Sequence, residues 1–139
     1  MFCLLGFLGC QKDAESHSFL DYEKDCEAVL QFVRGYFGEL STLPAYTLDM
    51  DEGYIIIDHT YQSDDSLAPS IAKLLKKGFT YMEVNPEFII FWEDNGFYGW
   101  LFSDDAEAAL KRITEKDRPY MQSRKITDQW YEVRANGSF

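Results

Sequence analysis

The feature that most constrains the fold of this chain is Asn95-Gly96, set between the apolar runs EFIIFWED (87–94) and FYGWLF (97–102). A type I′ turn needs positive φ at both central residues, and Asn-Gly between apolar strands is the strongest short-range hairpin signal. Taken as a two-residue loop, it predicts a register: Asp94 faces Phe97, Glu93 faces Tyr98, Trp92 faces Gly99, Phe91 faces Trp100 and Ile90 faces Leu101. Apolar pairs then stand on both faces, so this hairpin wants burial on both sides. Trp92 opposite Gly99 places a large ring over a residue with no side chain of its own.

The other elements follow from periodicity. Over 20–38, Tyr22, Cys26, Val29, Val33 and Tyr36 recur at helical spacing behind Asp21, Glu23 and Asp25, and Gly38 and Pro44 end the helix. AYTLDM and YIIIDHTY flank Asp51-Glu52-Gly53, which reads as a three-residue hairpin connection. Residues 66–77 form a second helix with Leu67, Ile71, Leu74 and Leu75 on one side, Pro69 in its first turn and Gly78 as its stop. FTYMEV (79–84) reads as a strand, and a third helix begins at Asp104, where Asp104-x-x-Glu107 makes a capping-box-like start. KITDQWYEV (125–133) reads as one last strand, with Ile126, Asp128, Trp130 and Glu132 on one face. The expected fold is α+β, an antiparallel sheet of about five or six strands with three helices packed on it, in the order α-ββ-α-βββ-α-β. In element order alone the ββαβββα core is similar to roadblock and longin-type domains, a likeness that implies no function.

Composition bounds what such a domain can do. The 139 residues include 24 acids and 13 bases, a net charge of −11, and 23 aromatic residues (11 Phe, 9 Tyr, 3 Trp), enough to argue against disorder. A nucleic-acid binder needs a basic face to release counterions, so RNA and DNA are excluded as expected partners. No apolar run approaches the roughly 20 residues of a spanning helix.

The start of the chain, MFCLLGFLGC, is apolar and uncharged to Cys10, and the polar stretch QKDAESHS follows. Apolar run, small residue, Cys, then polar residues resembles the signal peptide of bacterial lipoproteins, with the boundary at Phe7-Leu8-Gly9-Cys10; Phe7 stands where that family usually has Leu. The resemblance implies that residues 1–9 are removed, that Cys10 is lipidated, and that 10–18 tether a single domain at 19–139 to a membrane. Eight extended residues reach roughly 26–29 Å, so the domain would sit close to the bilayer. Gln11 after the Cys, in place of Asp, leans toward the outer membrane of a Gram-negative envelope. The alternatives are an apolar terminal segment packed on the core of a cytoplasmic protein and an ordinary cleaved secretory signal. Cys26 stands alone on a helical stripe and reads as a small buried hydrophobe.

No motif for catalysis or cofactor binding appears. Asp58-His59 looks like a dyad, but strand neighbours point to opposite faces, and His59 shares a face with Ile55, Ile57 and Tyr61. Asp49-Met50-Asp51-Glu52-Gly53 starts like a calcium loop, yet an EF-hand puts Gly sixth and Glu twelfth, and here they are Gly53 in fifth place and Thr60. No cofactor, no metal and no catalytic residue is therefore expected.

Charge arrangement is the informative feature. Between Arg34 and Lys73 stand seven acids (Glu39, Asp49, Asp51, Glu52, Asp58, Asp64, Asp65) and no base, and between Lys77 and Lys111 seven more (Glu83, Glu87, Glu93, Asp94, Asp104, Asp105, Glu107). Residues 111–125 hold six bases against two acids. Such acidity speeds encounter with a basic protein partner. The candidate partner-binding residues are Asp49, Asp51, Glu52, Asp58, Asp64, Asp65, Glu93 and Asp94, and exposed aromatics beside them would mark an interface. The expected function is that of a non-catalytic, membrane-anchored lipoprotein whose domain binds protein in the cell envelope. Two alternatives are an immunity-type inhibitor of a basic toxin and an enzyme or small-ligand domain using His59.

Overall fold

A computed structural model describes the backbone of residues 2–136 and 139 and the side chains of residues 19–136 and 139. The Gly9-Cys10 boundary and the tether 10–18 lie outside the residues whose side chains are described. Helix α1 (Phe2–Phe37) and a short 3-10 turn (Leu40–Thr42) lead into strands β1 (Tyr46–Asp51), β2 (Tyr54–Ile57) and β3 (Thr60–Gln62). Helix α2 (Leu67–Lys77) precedes β4 (Phe79–Val84), β5 (Ile89–Glu93) and β6 (Tyr98–Phe102); α3 (Ala106–Lys116) precedes β7 (Gln122–Lys125) and β8 (Trp130–Arg134). The strands form one eight-stranded antiparallel sheet in the order β3-β2-β1-β4-β5-β6-β8-β7.

The α+β class, the three helices and the antiparallel sheet agree with expectation. The strand number and the order do not, because two segments read as single strands each contain a turn. The order is α-βββ-α-βββ-α-ββ, and with β3 inserted the likeness in element order to roadblock and longin-type domains is lost. In YIIIDHTY the chain reverses at Asp58 and His59, whose φ values of 50° and 64° make a two-residue turn. Left-handed residues without glycine are uncommon, although Asp and His tolerate the conformation better than most. At the other end, KITDQWYEV turns at 126–129, where Thr127 Oγ1 accepts from the N–H of Gln129 and Trp130. Ile126 and Asp128 therefore belong to a loop, and QSRK upstream becomes the outer strand β7.

The β5–β6 register matches the sequence reading from Ile90↔Leu101 to Trp92↔Gly99. Its turn differs. Gly96 N–H donates to Glu93 O at 2.8 Å and only Gly96 is left-handed (φ 72°), so a wider loop replaces the type I′ turn. The β1–β2 connection is also shorter than expected: Asp51 pairs with Tyr54, leaving Glu52 and Gly53, both at positive φ, as a two-residue turn. Helix α3 is capped by Asp105, which accepts from Ala108 N–H at 3.3 Å, rather than by Asp104. Helix α2 stops at Gly78 (φ 115°), whose N–H donates to Leu74 and Leu75 O.

Helices lie on both faces of the sheet. On one, α1 and α2 bury Phe19, Cys26, Val29, Val33, Leu67, Ile71 and Leu74 against Leu48, Ile55, Met82, Phe91, Trp100 and Trp130. Each fully buried large aliphatic contributes about 1.5–3 kcal/mol. On the other, α3 is the one helix among the described residues and buries Ala106, Leu110 and Ile113 against Ile90, Trp92, Leu101 and Val133.

Candidate functional site

Among the described residues, the apolar stripe of α3 packs with β5, β6, β8 and the adjoining loop residues Phe88 and Met121, with Tyr81 of β4 at the rim and nothing from β1, β2 or β3, so the same face of those three strands carries no helix. Strand alternation decides what it shows to water: Leu48 and Met50 point into the core, so Thr47, Asp49 and Asp51 point out. Pairing then sets Tyr61, Ile56, Asp49 and Tyr81 in one row across β3, β2, β1 and β4, and Tyr54 directly opposite Asp51. Tyr54 and Tyr61 are 43% and 54% exposed, high for tyrosines within a sheet. Their rings meet edge to face at 5.6 Å, and the Tyr61 hydroxyl donates to Asp51 Oδ2 at 3.4 Å. The outcome is a bare half-sheet of aromatic rings and carboxylates, with no base in any of its three outer strands.

A groove of about 510 Å³ opens beside this surface, lined in part by Thr47, Tyr81, Glu83, Trp92 and, from the loop after α3, Arg118. Glu83 accepts the indole N–H of Trp92 at 3.1 Å and pairs with Arg118, so the cation that Arg118 brings to the groove is neutralised. Burial, with Glu83 and Asp94 nearby, pushes the Tyr81 hydroxyl pKa up. Tyr81, which pairs with Asp49, thus joins the bare half-sheet to the groove.

The predicted acids divide. Asp49 and Asp51 share the bare face, Glu52 sits in the turn beside Asp51, and Asp94 lies in the β5–β6 turn close enough to act on Tyr81. Asp58 is in the β2–β3 turn and accepts the Tyr46 hydroxyl at 2.5 Å, a bond that pushes the Tyr46 pKa up. Asp64 is occupied in capping α2: its Oδ1 accepts from Leu67 N–H at 2.7 Å and from the Ser66 N–H and hydroxyl at 3.0 Å. Asp65 is exposed in the turn before that helix. Glu93 points to the opposite, two-helix side with Phe91, where burial raises its pKa against the pull of Lys77 and Arg134. His59 is an exposed turn residue rather than a strand residue sharing a face with Ile55 and Ile57. Cys26 is fully buried, and that burial, with Asp25 and its neighbouring glutamates, pushes its thiol pKa well up.

Sequence reasoning missed Tyr54, Ile56, Tyr61 and Tyr81 as surface residues; for the first three the signal available was their alternation with buried neighbours once β2 and β3 are separated, and for Tyr81 there was none. It also missed a buried polar cluster on the two-helix face. Glu132 is fully buried, its carboxylate accepting from Arg124 Nε and from the Tyr98 hydroxyl, both at 2.7 Å, while that hydroxyl accepts the Trp100 indole N–H at 3.0 Å.

Among the described residues, no group of three or more His, Cys, Asp and Glu side chains is placed to hold a metal ion, and no helix is long and apolar enough to cross a membrane. Comparison of the chain with protein-family models, with curated proteins and with solved structures finds no match.

Proposed function

We propose that this chain is a small acidic lipoprotein of the bacterial cell envelope, anchored through Cys10, whose domain is a non-catalytic protein-binding module with a basic partner. The observation that carries the binding half of this reading is the bare half-sheet, where exposed Tyr54 and Tyr61 flank Asp49 and Asp51. Interfaces are anchored by aromatic side chains, and like-signed carboxylates select a partner of opposite charge while repelling anionic lipid and nucleic acid. The anchoring half rests on the apolar start, Gly9-Cys10 and the polar residues after it.

Two measurements test it. The intact mass of the membrane-extracted chain, made in a bacterial host, is expected to equal residues 10–139 plus acyl groups, and Cys10→Ala is expected to release it from membranes; an unmodified full-length mass refutes the anchor. For binding, a photo-crosslinking amino acid in place of Tyr61 is expected to give a discrete protein adduct in the native envelope, weakened by Asp49→Asn/Asp51→Asn. Absence of an adduct, or one indifferent to those substitutions, refutes the surface.

A further inference from the structure

Resting on the reading of the bare half-sheet as a protein-binding surface, we propose the form of the partner's contact: a basic amphipathic helix that lies on β1–β3 beside α3 and completes the helical layer of that face. Three observations lead there. First, the free edge is poorly suited to adding a strand. Ile57 and Thr60 flank a two-residue turn and so bond to each other, Gln62 faces Ile55, and only Tyr61 in β3 turns its N–H and C=O outward. A docking strand would gain one residue's pair of ladder bonds. Second, the uncovered strip has the width of a helix. Three strands at about 4.8 Å spacing span roughly 14 Å, against about 10–12 Å for a helix with its side chains. The groove along Thr47, Tyr81 and Trp92 opens beside that strip and leaves room at its β4 border. Third, the strip has the pattern that a helix with an apolar stripe and flanking cations would complement. Ile56, Tyr61 and Tyr81 lie in one row, Asp49 stands within it, and Asp51 pairs with Tyr54 in the adjoining position.

Charge decides between occupants. No base occurs between Arg34 and Lys73, so a second copy of this surface would set Asp49 and Asp51 against their own kind. A helix presenting Lys or Arg on either side of an apolar stripe meets each carboxylate with a cation.

The test uses the full chain and two synthetic peptides of identical Leu and Lys composition, each about five helical turns in length. One repeats its Leu with the helical period, and the other alternates Leu and Lys with the strand period. Fluorescence anisotropy at low ionic strength is expected to show the helical-period peptide binding at least about tenfold tighter. Both Asp49→Asn/Asp51→Asn and Tyr54→Ala/Tyr61→Ala are expected to weaken it by about tenfold, with Glu115→Gln on α3 as an unaffected control. Because the substituted side chains are exposed, circular dichroism melts should match those of the parent chain. Equal or tighter binding of the strand-period peptide, still sensitive to the Asp substitutions, overturns the helix while leaving the acidic surface standing. Binding that ignores the face substitutions, or no binding of either peptide, overturns the proposal outright, whereas the Tyr61 cross-link judges the protein-binding reading by itself.

Discussion

Gly99 is where a single methyl group should do most damage for least chemical change. It lies in β6 between β5 and β8, and a Cβ there would stand 2.6 Å from the Phe91 carbonyl oxygen, 2.9 Å from Ile90 Cγ2 and 2.9 Å from Trp92 Cε3. Ordinary contact is about 3.5 Å, so the carbonyl would have to retreat by roughly 0.9 Å. Side chains can yield for about 1–3 kcal/mol of overpacking. The carbonyl cannot move without disturbing ladder bonds worth about 1 kcal/mol each. Against this stands a gain of about 0.4–1 kcal/mol from reduced freedom of the unfolded chain. Gly99→Ala is therefore expected to cost about 2–3 kcal/mol net and to lower Tm by roughly 6–12 °C, read by urea unfolding monitored through tryptophan fluorescence. Gly35→Ala, in helix α1 with open space around it, is the matched control and should stabilise by about 0.5–1 kcal/mol. Adding Trp92→Leu removes only the ring contact, so it should not rescue Gly99→Ala. A Gly99→Ala chain within about 0.5 kcal/mol of the parent, or a full rescue by Trp92→Leu, would show that the hairpin does not pack this way.

Two further outcomes follow from groups already described. Arg124→Met removes one donor from the fully buried Glu132 carboxylate, which still accepts the Tyr98 hydroxyl, and should cost about 2–4 kcal/mol in urea unfolding. Arg124→Met/Glu132→Leu should recover most of that, and a cost below about 1 kcal/mol for the single variant would contradict the burial of the charge. The Leu67 backbone N–H, followed by the Ser66 hydroxyl, holds the Asp64 carboxyl below its usual range. Because the folded pKa is the lower one, the stabilisation is complete above the unfolded pKa of about 3.9 and is lost as pH falls through the folded value. Asp64→Ala should accordingly melt earlier than the parent at neutral pH and converge with it in strong acid. A gap that persists unchanged into strong acid would mean the cap does not depend on the charge.

Local signals determined much of this protein. The β5–β6 register follows from residues adjacent to Asn95-Gly96, because a turn pairs neighbours and alternation propagates the pairing outward. Helix α2 was legible for a similar reason: its apolar spacing, Pro69 and Gly78 all act within one or two turns of chain. Where two local forces compete, the reading failed. Asp58-His59 follows the apolar, branched run of a strand and has no glycine, yet the chain turns there and lets β3 pair with β2 as the edge of the sheet. Tyr81 likewise shows no surface signature in FTYMEV; its position depends on β4 pairing with β1 and β5, and on a bulge between Phe79 and Tyr81.

The acidic balance, the helical stretches, the central hairpin and the absence of a base between Arg34 and Lys73 are thus legible along the chain. Which acids share a surface depends on the fold, which sets Asp49 and Asp51 together with Tyr54 and Tyr61, turns Glu93 to the opposite face and uses Asp64 in a helix cap. The reason is geometric. A strand's alternation says that residues point two ways, but which way meets water depends on where a helix distant in sequence comes to rest, and α3 covers one half of its face and leaves the other bare.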